Sequence, residues 1–414
     1  MKTPFRHQCD VAVIGAGAAG LAAARALTAA KLDVLLMEGR SRPGGRASTE
    51  MHGGHALDLG CGWLHSADDN PYVGIARDLG FTVDETPPPW QQMMYEDAFA
   101  SQDQKAFRAA QAKFYSRLEK AAQEPIDRSA SDCLDRDAPW SALIDAVSTY
   151  VNGCELARLS AKDFDNYHDS EINFRIAEGY GALIARLADD VPTVYDCPVS
   201  GIDHTGAWVS IETAGGTLQA RAAVIAVPTN ILAREIIRFS PAIPSKLEAA
   251  AMLPLGIANK LYLAVEDAEA LPDNGRIFGK TDRTDTGAYH LRPFGKPLVE
   301  GYFGGECARS LEKDGLAGFA SFAVEEICDM LGGEWRKRLK PLAASAWASD
   351  PFALGSYSHA LPGHWDKRAV LASPVNNRLF FAGEATSPHY FSTAHGAHES
   401  GLRAANEVLS ALRT

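Results

Sequence analysis

Three glycines and one acid near the start of the chain are spaced for phosphate chemistry. Gly15, Gly17 and Gly20 form G-x-G-x-x-G, and Glu38 follows Gly20 by 18 residues. Gly15 permits a tight turn. Gly17, followed by Ala18 and Ala19, leaves backbone N–H groups open to a pyrophosphate with no side chain in the way. Gly20 lets a helix lie close to a strand. Glu38 stands where an acid accepts hydrogen bonds from ribose hydroxyls. Two other residues stand out by type. Lys260 lies in the run 253–265, which reads as an otherwise apolar strand. A charge there is costly unless a buried partner or a water receives it; the alternative is a lysine on an edge strand. His65 is a lone histidine, either structural or proton-handling. No Ser-His-Asp set and no metal-ligand spacing competes with the glycine turn.

The elements that must position these residues are legible around them. Residues 11–14 are apolar and β-branched and read as a buried strand ending at the glycine turn. Residues 18–30 are rich in Ala and Leu and read as a helix. Residues 34–37 read as a second buried strand ending at Glu38. Strand, glycines, helix, strand and acid thus occur in the order a dinucleotide-binding unit requires. From about 76 to 175 the pattern turns helical. Residues 107–122 repeat with a period near 3.6 and 140–159 give a second helix, with a proline boundary at 87–89. Asp163, Asp165, Asp169 and Glu171 cluster near the end of this block, as a solvated acidic loop or as an attractor for a cationic tail. Runs at 198–202, 207–212, 216–220 and 223–228 read as short strands, the last stopped by Pro228. Strands at 288–291 and 298–303, followed by a helix at 316–331, read as a sheet with helical cover.

Composition bounds the class. The 414 residues allow two domains. A net charge of −12 argues against a nucleic-acid surface and is compatible with a cationic substrate. Seven scattered cysteines without C-x-x-C suggest reduced thiols in a cytoplasmic setting and no metal. The first ten residues lack an apolar signal core, and no run of about 18 apolar residues occurs, so no membrane span is expected.

Gly39, Arg40, Pro43, Gly44, Gly45 and Arg46 continue directly from the acid and resemble the R-x-G-G-R signature of the flavin amine oxidase family. That family includes monoamine oxidases, polyamine oxidases and histone-lysine demethylases. The resemblance implies that this segment lies along the diphosphate and ring edge of an FAD. The stretch from Asp58 to His65 resembles a polyamine oxidase motif, placing Gly62, Trp63 and Leu64 at the flavin and His65 at the substrate. Residues 177–184 resemble the family's G-G-Y-x-x-L-I helix start, and Pro198-Val199 implies that the Val199 backbone meets the adenine. The run from Leu253 to Lys260 resembles P-L-G-x-x-x-K, whose lysine holds a water against flavin N5. Trp347 and Tyr357 fall in segments that wall the flavin and its substrate. Ser356 falls where monoamine oxidases carry the cysteine bonded to the flavin, and serine cannot make that thioether, so a non-covalent FAD is implied. Gly383 and Glu384 match the ribityl and diphosphate contact. Tyr390 to Ala405 resembles Y-x-x-T-x-H-G-A-x-x-S-G-x-R-A-A, with Tyr390 facing substrate and Thr393 and Ala394 opening a helix toward the flavin pyrimidine.

The implied fold is a Rossmann-type FAD-binding domain (1–75, 176–249 and 350–414) interleaved with an α+β substrate domain (76–175 and 250–349), the glutathione-reductase-like amine oxidase fold. The implied reaction is oxidation of a polyamine or monoamine to an imine by hydride transfer to flavin N5. Oxygen then reoxidises the flavin and gives hydrogen peroxide. Lys260, Tyr390, Tyr357 and His65 are the expected catalytic residues. The expected partners are a small-molecule amine and O2, with no nucleic acid, and the chain is a monomer or homodimer. An L-amino-acid oxidase remains open if Arg292 or another arginine faces the pocket and holds a carboxylate. A flavin dehydrogenase or desaturase with a quinone acceptor, and a non-catalytic FAD-binding protein, also remain open. A chromatin demethylase is disfavoured by the acidic charge and by the lack of a recognisable partner-binding segment.

Overall fold

The computed structural model describes residues 5–413 apart from positions 93, 97 and 136. Two sheets organise these residues. The first draws its strands from three separated stretches. Its parallel centre is Gln8–Ile14 between Val34–Met37 and Gly216–Ile225, with Val11 opposite Val34 and Ala12 opposite both Leu35 and Ala223. Thr193–Val194 extends one side, and Leu379–Phe381 pairs in parallel with the end of Gly216–Ile225. The antiparallel strands Val199–Asp203 and Val209–Thr213 extend the other side, with Arg238–Ser240 at the edge. The central strands are apolar and buried over 11–14, 34–37 and 222–225, where both faces are covered, as a buried parallel sheet requires.

Residues 216–225 form one ten-residue strand where the sequence suggested two. Nothing between Ala220 and Ala223 breaks the strand. Its first half pairs with Val209–Thr213 and its second half with Leu379–Phe381. Helix Ser141–Val151 is shorter than the expected 140–159, because the chain turns at Gly153 with φ +77° and packs against Gly256. Helix Ser101–Ala122 buries Phe107, Phe114 and Leu118 as its periodicity implied.

The second sheet is antiparallel, in the order Gly275–Phe278, Ala288–Leu291, Leu298–Gly304, Ala258–Val265, Leu339–Ala344. Strand alternation gives it two unlike faces. Leu261, Leu263, Val299, Tyr289, Leu291 and Ile277 face helix Gly315–Leu331 and form a dry core with Phe319, Ala323 and Ile327. The opposite face carries two adjacent cross-strand rows. One runs Lys260, Tyr302, Ala288, Phe278; the other runs Tyr262, Glu300, His290, Arg276. Lys260 therefore sits on an interior strand paired on both sides, not on an edge.

Two helices lie together on one face of the first sheet. Ala18–Ala29 packs along Ala394–Arg413, and a Cβ at Gly401 would fall 2.1 Å from the Ala19 carbonyl oxygen. That approach seats the start of the last helix beside the glycine turn. Gly401→Leu is expected to force the helices apart and to lower stability by about 1–3 kcal/mol, read as a reduced denaturant midpoint.

Candidate active site

The glycine turn is locked by contacts that only glycine allows. Gly15 has φ +102°, and a Cβ there would lie 2.6 Å from the Ala226 carbonyl oxygen. A Cβ at Gly20 would lie 1.8 Å from the Gly15 carbonyl oxygen. Gly17 caps helix Ala18–Ala29 without any side-chain hydrogen bond, so no side chain competes with an anion for the first N–H groups. The Gly44 N–H donates to the Ala16 carbonyl at 2.8 Å, and Gly45 lies against Gly17. Glu38 is buried and accepts from the Ala16 N–H and the Arg40 N–H, each at 2.8 Å. Arg40 pairs with Asp350 at 2.7 Å, and Gly39 fits against the Phe352 ring. The Cys197 N–H donates to the Glu38 carbonyl at 2.9 Å, and Val199 then opens its strand beside this acid.

Arg46 links this turn to the C-terminal segment. Its Nη1 donates to the Ser356 carbonyl at 2.6 Å and to Glu384 Oε1 at 2.9 Å. Glu384 also accepts from the Ser358 hydroxyl at 2.6 Å and from the Ser392 N–H at 2.9 Å. Burial alone would raise its carboxyl; Arg46, the Ser358 hydrogen bond and Arg368 outweigh that and hold it below the usual carboxylate range. Gly383 is fixed by its N–H to Ser400 Oγ at 2.8 Å. The Thr393 hydroxyl bonds the Tyr390 carbonyl at 2.6 Å just before Ala394 begins its helix. Ser356 Oγ donates to the Ala258 carbonyl at 2.9 Å and accepts from the Ala258 N–H at 2.7 Å, which ties it to the strand carrying Lys260.

On the second sheet, Lys260 has the buried partner its position demanded. Its Nζ lies 3.0 Å from Glu300 Oε1, and a Cβ at Gly62 would lie 2.7 Å from that Nζ. Burial would raise the Glu300 carboxyl, but Arg175 and Lys260 hold it well below the usual range. Trp63 packs against Trp90 and under the Arg175 guanidinium, and its Nε1 donates to the Tyr302 hydroxyl at 3.3 Å. Leu64 is buried and pairs through its backbone with Phe174. Trp347 donates from Nε1 to the Leu59 carbonyl at 3.1 Å.

The remaining expected residues separate into two places. His65 Nδ1 lies 2.6 Å from Asn173 Oδ1, and burial lowers its imidazole below the ordinary value. Tyr390 donates to Asp69 at 2.9 Å and packs on His395; burial and Asp69 push its hydroxyl up to about 12. Tyr357 instead donates to the Tyr150 carbonyl, and burial raises its hydroxyl. The two tyrosine hydroxyls therefore serve different partners. Arg292 donates to the Leu271 carbonyl at 3.3 Å. The acidic cluster is no single feature. Asp169 and Glu171 are exposed, but Asp163 is fully buried and held by Arg368 through bonds of 2.6 and 2.7 Å. Asp163 is thus neither a solvated acid nor an attractor for substrate.

Glu300, Arg175, Arg368 and Asp350 were missed from the sequence. A signal existed for Glu300: it is a lone acid in an apolar strand, just as Lys260 is a lone base in the next. Among the described residues no group of three or more metal-ligating side chains occurs, and no helix is long and apolar enough to cross a membrane.

A parallel sheet with an uncapped helix N-terminus, interleaved with an antiparallel sheet, is the architecture of a dinucleotide-binding oxidoreductase. Residues 109–409 match the family model of flavin containing amine oxidoreductases, and residues 13–75 match that of NAD(P)-binding Rossmann-like domains. The chain belongs to the flavin containing amine oxidoreductase family. Lysine-specific histone demethylase 1 homolog 2 of Oryza sativa subsp. japonica is 31% identical over 450 residues, covering 99% of this chain and 58% of that protein. Polyamine oxidase 3 of the same organism is 31% identical over 445 residues, covering 97% of this chain and 89% of that protein. The chain thus spans little more than half the length of the demethylases it matches. A solved putrescine oxidase bound to putrescine superposes with a TM-score of 0.79 at 18% identity, over 97% of this chain and 99% of that one, a likeness of fold. The family's cofactor, FAD, suits the open helix N-terminus at Gly17, the buried acid Glu38 and the Gly44–Gly45 turn.

Two predictions follow from the buried groups. Asp163→Ala leaves Arg368 buried without its carboxylate and should lower stability by about 3–5 kcal/mol, with little change in KM of the folded fraction. His395 and His359 are buried, and burial lowers each imidazole to about 3. Between the unfolded value near 6.5 and these folded values, the unfolded chain binds protons the folded chain does not. Stability therefore falls as pH drops through that window, by up to about 1.4 kcal/mol per pH unit for each histidine. His395→Asn should flatten the slope of unfolding free energy against pH between 6.5 and 5.

Proposed function

We propose that this chain is an FAD-dependent amine oxidase acting on a polyamine, with O2 as terminal acceptor and with FAD held non-covalently. The observation that carries the reading is Lys260: an ammonium on an interior strand, on the polar face of the second sheet, directly against the Gly62 loop. FAD supplies a two-electron acceptor for hydride from the carbon beside a neutral amine nitrogen. The imine so formed is hydrolysed by water to a carbonyl compound and the released amine, and O2 would take up the two electrons drawn from the amine, with two protons, to give hydrogen peroxide.

The chain's own residues bind, orient and exclude water. The N-terminus of helix Ala18–Ala29 takes the diphosphate, Glu38 the ribose, and Arg46 with Glu384 the middle of the cofactor. Lys260 orders a water and its protons at the redox-active edge. Trp63 and Tyr302 give an aromatic lining beside it, and His65 contacts the substrate. The hydroxyl of Ser356 is engaged on both sides by Ala258 and offers no sulfur for a covalent flavin bond.

Three observations favour a polyamine. Asp68, Asp69 and Asp169 are exposed around His65 and Tyr390, a setting that attracts a cationic tail. The polyamine oxidase relative is matched over most of its length. Arg292, one arginine that could hold an amino-acid carboxylate, donates instead to the Leu271 carbonyl. A second reading, oxidation of a methylated lysine side chain, is favoured by the demethylase matches and needs the same chemistry on a larger substrate.

The test is anaerobic reduction of the purified flavoprotein by polyamines, monoamines, amino acids and a methyl-lysine peptide. Polyamines should bleach the flavin fastest, with peroxide formed on admitting air, and Lys260→Met should slow bleaching by about 10²-fold. Bleaching by the peptide alone would select the second reading; bleaching by none would overturn both.

A further inference from the structure

Two cations on the site face converge on one carboxylate. Glu300 is fully buried; its Oε1 lies 3.0 Å from Lys260 Nζ and its Oε2 3.0 Å from Arg175 Nη1. The Tyr262 hydroxyl lies 2.8 Å from Oε1 and also 3.0 Å from the Asp58 carbonyl oxygen. His290 Nδ1 stands 3.8 Å from Oε2. Arg175 is itself fixed, with its guanidinium 4.8 Å from the Trp63 ring centre and 4.6 Å from that of Phe294. Lys260 and Glu300 are diagonal neighbours on adjacent strands, a spacing long side chains bridge.

The contact between Lys260 and Glu300 is an ion pair without hydrogen-bond alignment. Among the described residues, Lys260 Nζ is buried and makes no hydrogen bond. The ammonium is therefore held by charge while its N–H groups stay uncommitted, and it packs into the room that the missing side chain of Gly62 leaves, since a Cβ there would lie 2.7 Å from Nζ.

We propose that Glu300, clamped by Arg175 and Tyr262, is the positioning residue that fixes the Lys260 ammonium over the Gly62 loop with its protons free for the cofactor site. This rests on the amine oxidase reading. Glu300 touches neither cofactor nor substrate; it acts through Lys260. Removing its charge frees the lysine chain to rotate away and leaves two buried cations facing each other. Arg175 keeps Glu300 from following Lys260 into the site.

The experiment is a double-mutant cycle on the FAD-loaded protein with E300Q, K260M and E300Q/K260M. It is read in the rate of anaerobic reduction by an amine and in the visible absorption spectrum of the bound flavin. E300Q should slow reduction on the order of tenfold, and E300D should recover part of the loss. The double variant should match K260M to within about twofold, the limit within which independent effects are resolved. Each lysine-dependent spectral shift should appear in E300Q with the same sign and should not grow in the double variant. Losses that multiply, or an E300Q protein indistinguishable from the parent, would overturn the proposal. If E300Q does not fold, R175M/E300Q removes both charges of that pair and is taken through the same cycle, with the same expected outcomes. If no amine reduces the parent flavin, the function reading fails, and the spectral cycle alone still decides whether Glu300 acts through Lys260.

Discussion

The cofactor half of the molecule depends on keeping a carboxylate charged inside it. Glu384 is buried, and Arg46, Ser358 and Arg368 together outweigh its desolvation. Arg46 reaches it from near one end of the chain, Ser358 and Ser392 from either side of it in sequence. Arg368 then bonds Ser358 and carries the network on to Asp163 in the helical block. One hydrogen-bonded path thus crosses segments more than three hundred residues apart. Loss of a charged member leaves a buried charge without its counterpart, and loss of a serine removes one of its hydrogen bonds, so these segments are constrained to one mutual arrangement. The glycine turn and the start of the last helix inherit their geometry from that arrangement.

The second sheet solves a different problem with the simplest periodicity available. A period of two puts Leu261, Leu263, Val299 and Phe303 under helix Gly315–Leu331, and Lys260, Tyr262, Glu300 and Tyr302 on the opposite face. Lys260 and Glu300 can both be buried because they share that face and neutralise each other's charge. Shifting either strand by one residue would carry a charge into the dry core.

The first forty residues were legible because local chemistry determines them. β-branched runs, glycines with no room for a Cβ, and an alanine-rich helix all act over short range. Lys260 was legible as an anomaly, a charge in an apolar strand. Its partner was equally anomalous, but pairing the two needed the register of strands about forty residues apart, which composition does not carry. Asp163 was misread for the same reason: it stands in a run of acids, and only Arg368, 205 residues away, makes it a buried ion pair. Tyr357 and Tyr390 lie in recognisable motifs, yet their hydroxyls turn to the Tyr150 carbonyl and to Asp69, contacts set by loop packing.

The packing of Ala18–Ala29 along Ala394–Arg413 has a consequence for how the protein is made. The helix that covers the glycine turn follows it by nearly four hundred residues and leaves the ribosome that much later. At 5–20 residues per second, that delay is on the order of half a minute. During it the side of the first helix that packs on Ala394–Arg413, around Ala19 and Ala22, lacks that cover. The nascent chain must wait with its nucleotide half incomplete, so occupancy by the dinucleotide is a late event in biosynthesis and falls after the substrate-side sheet has been synthesised.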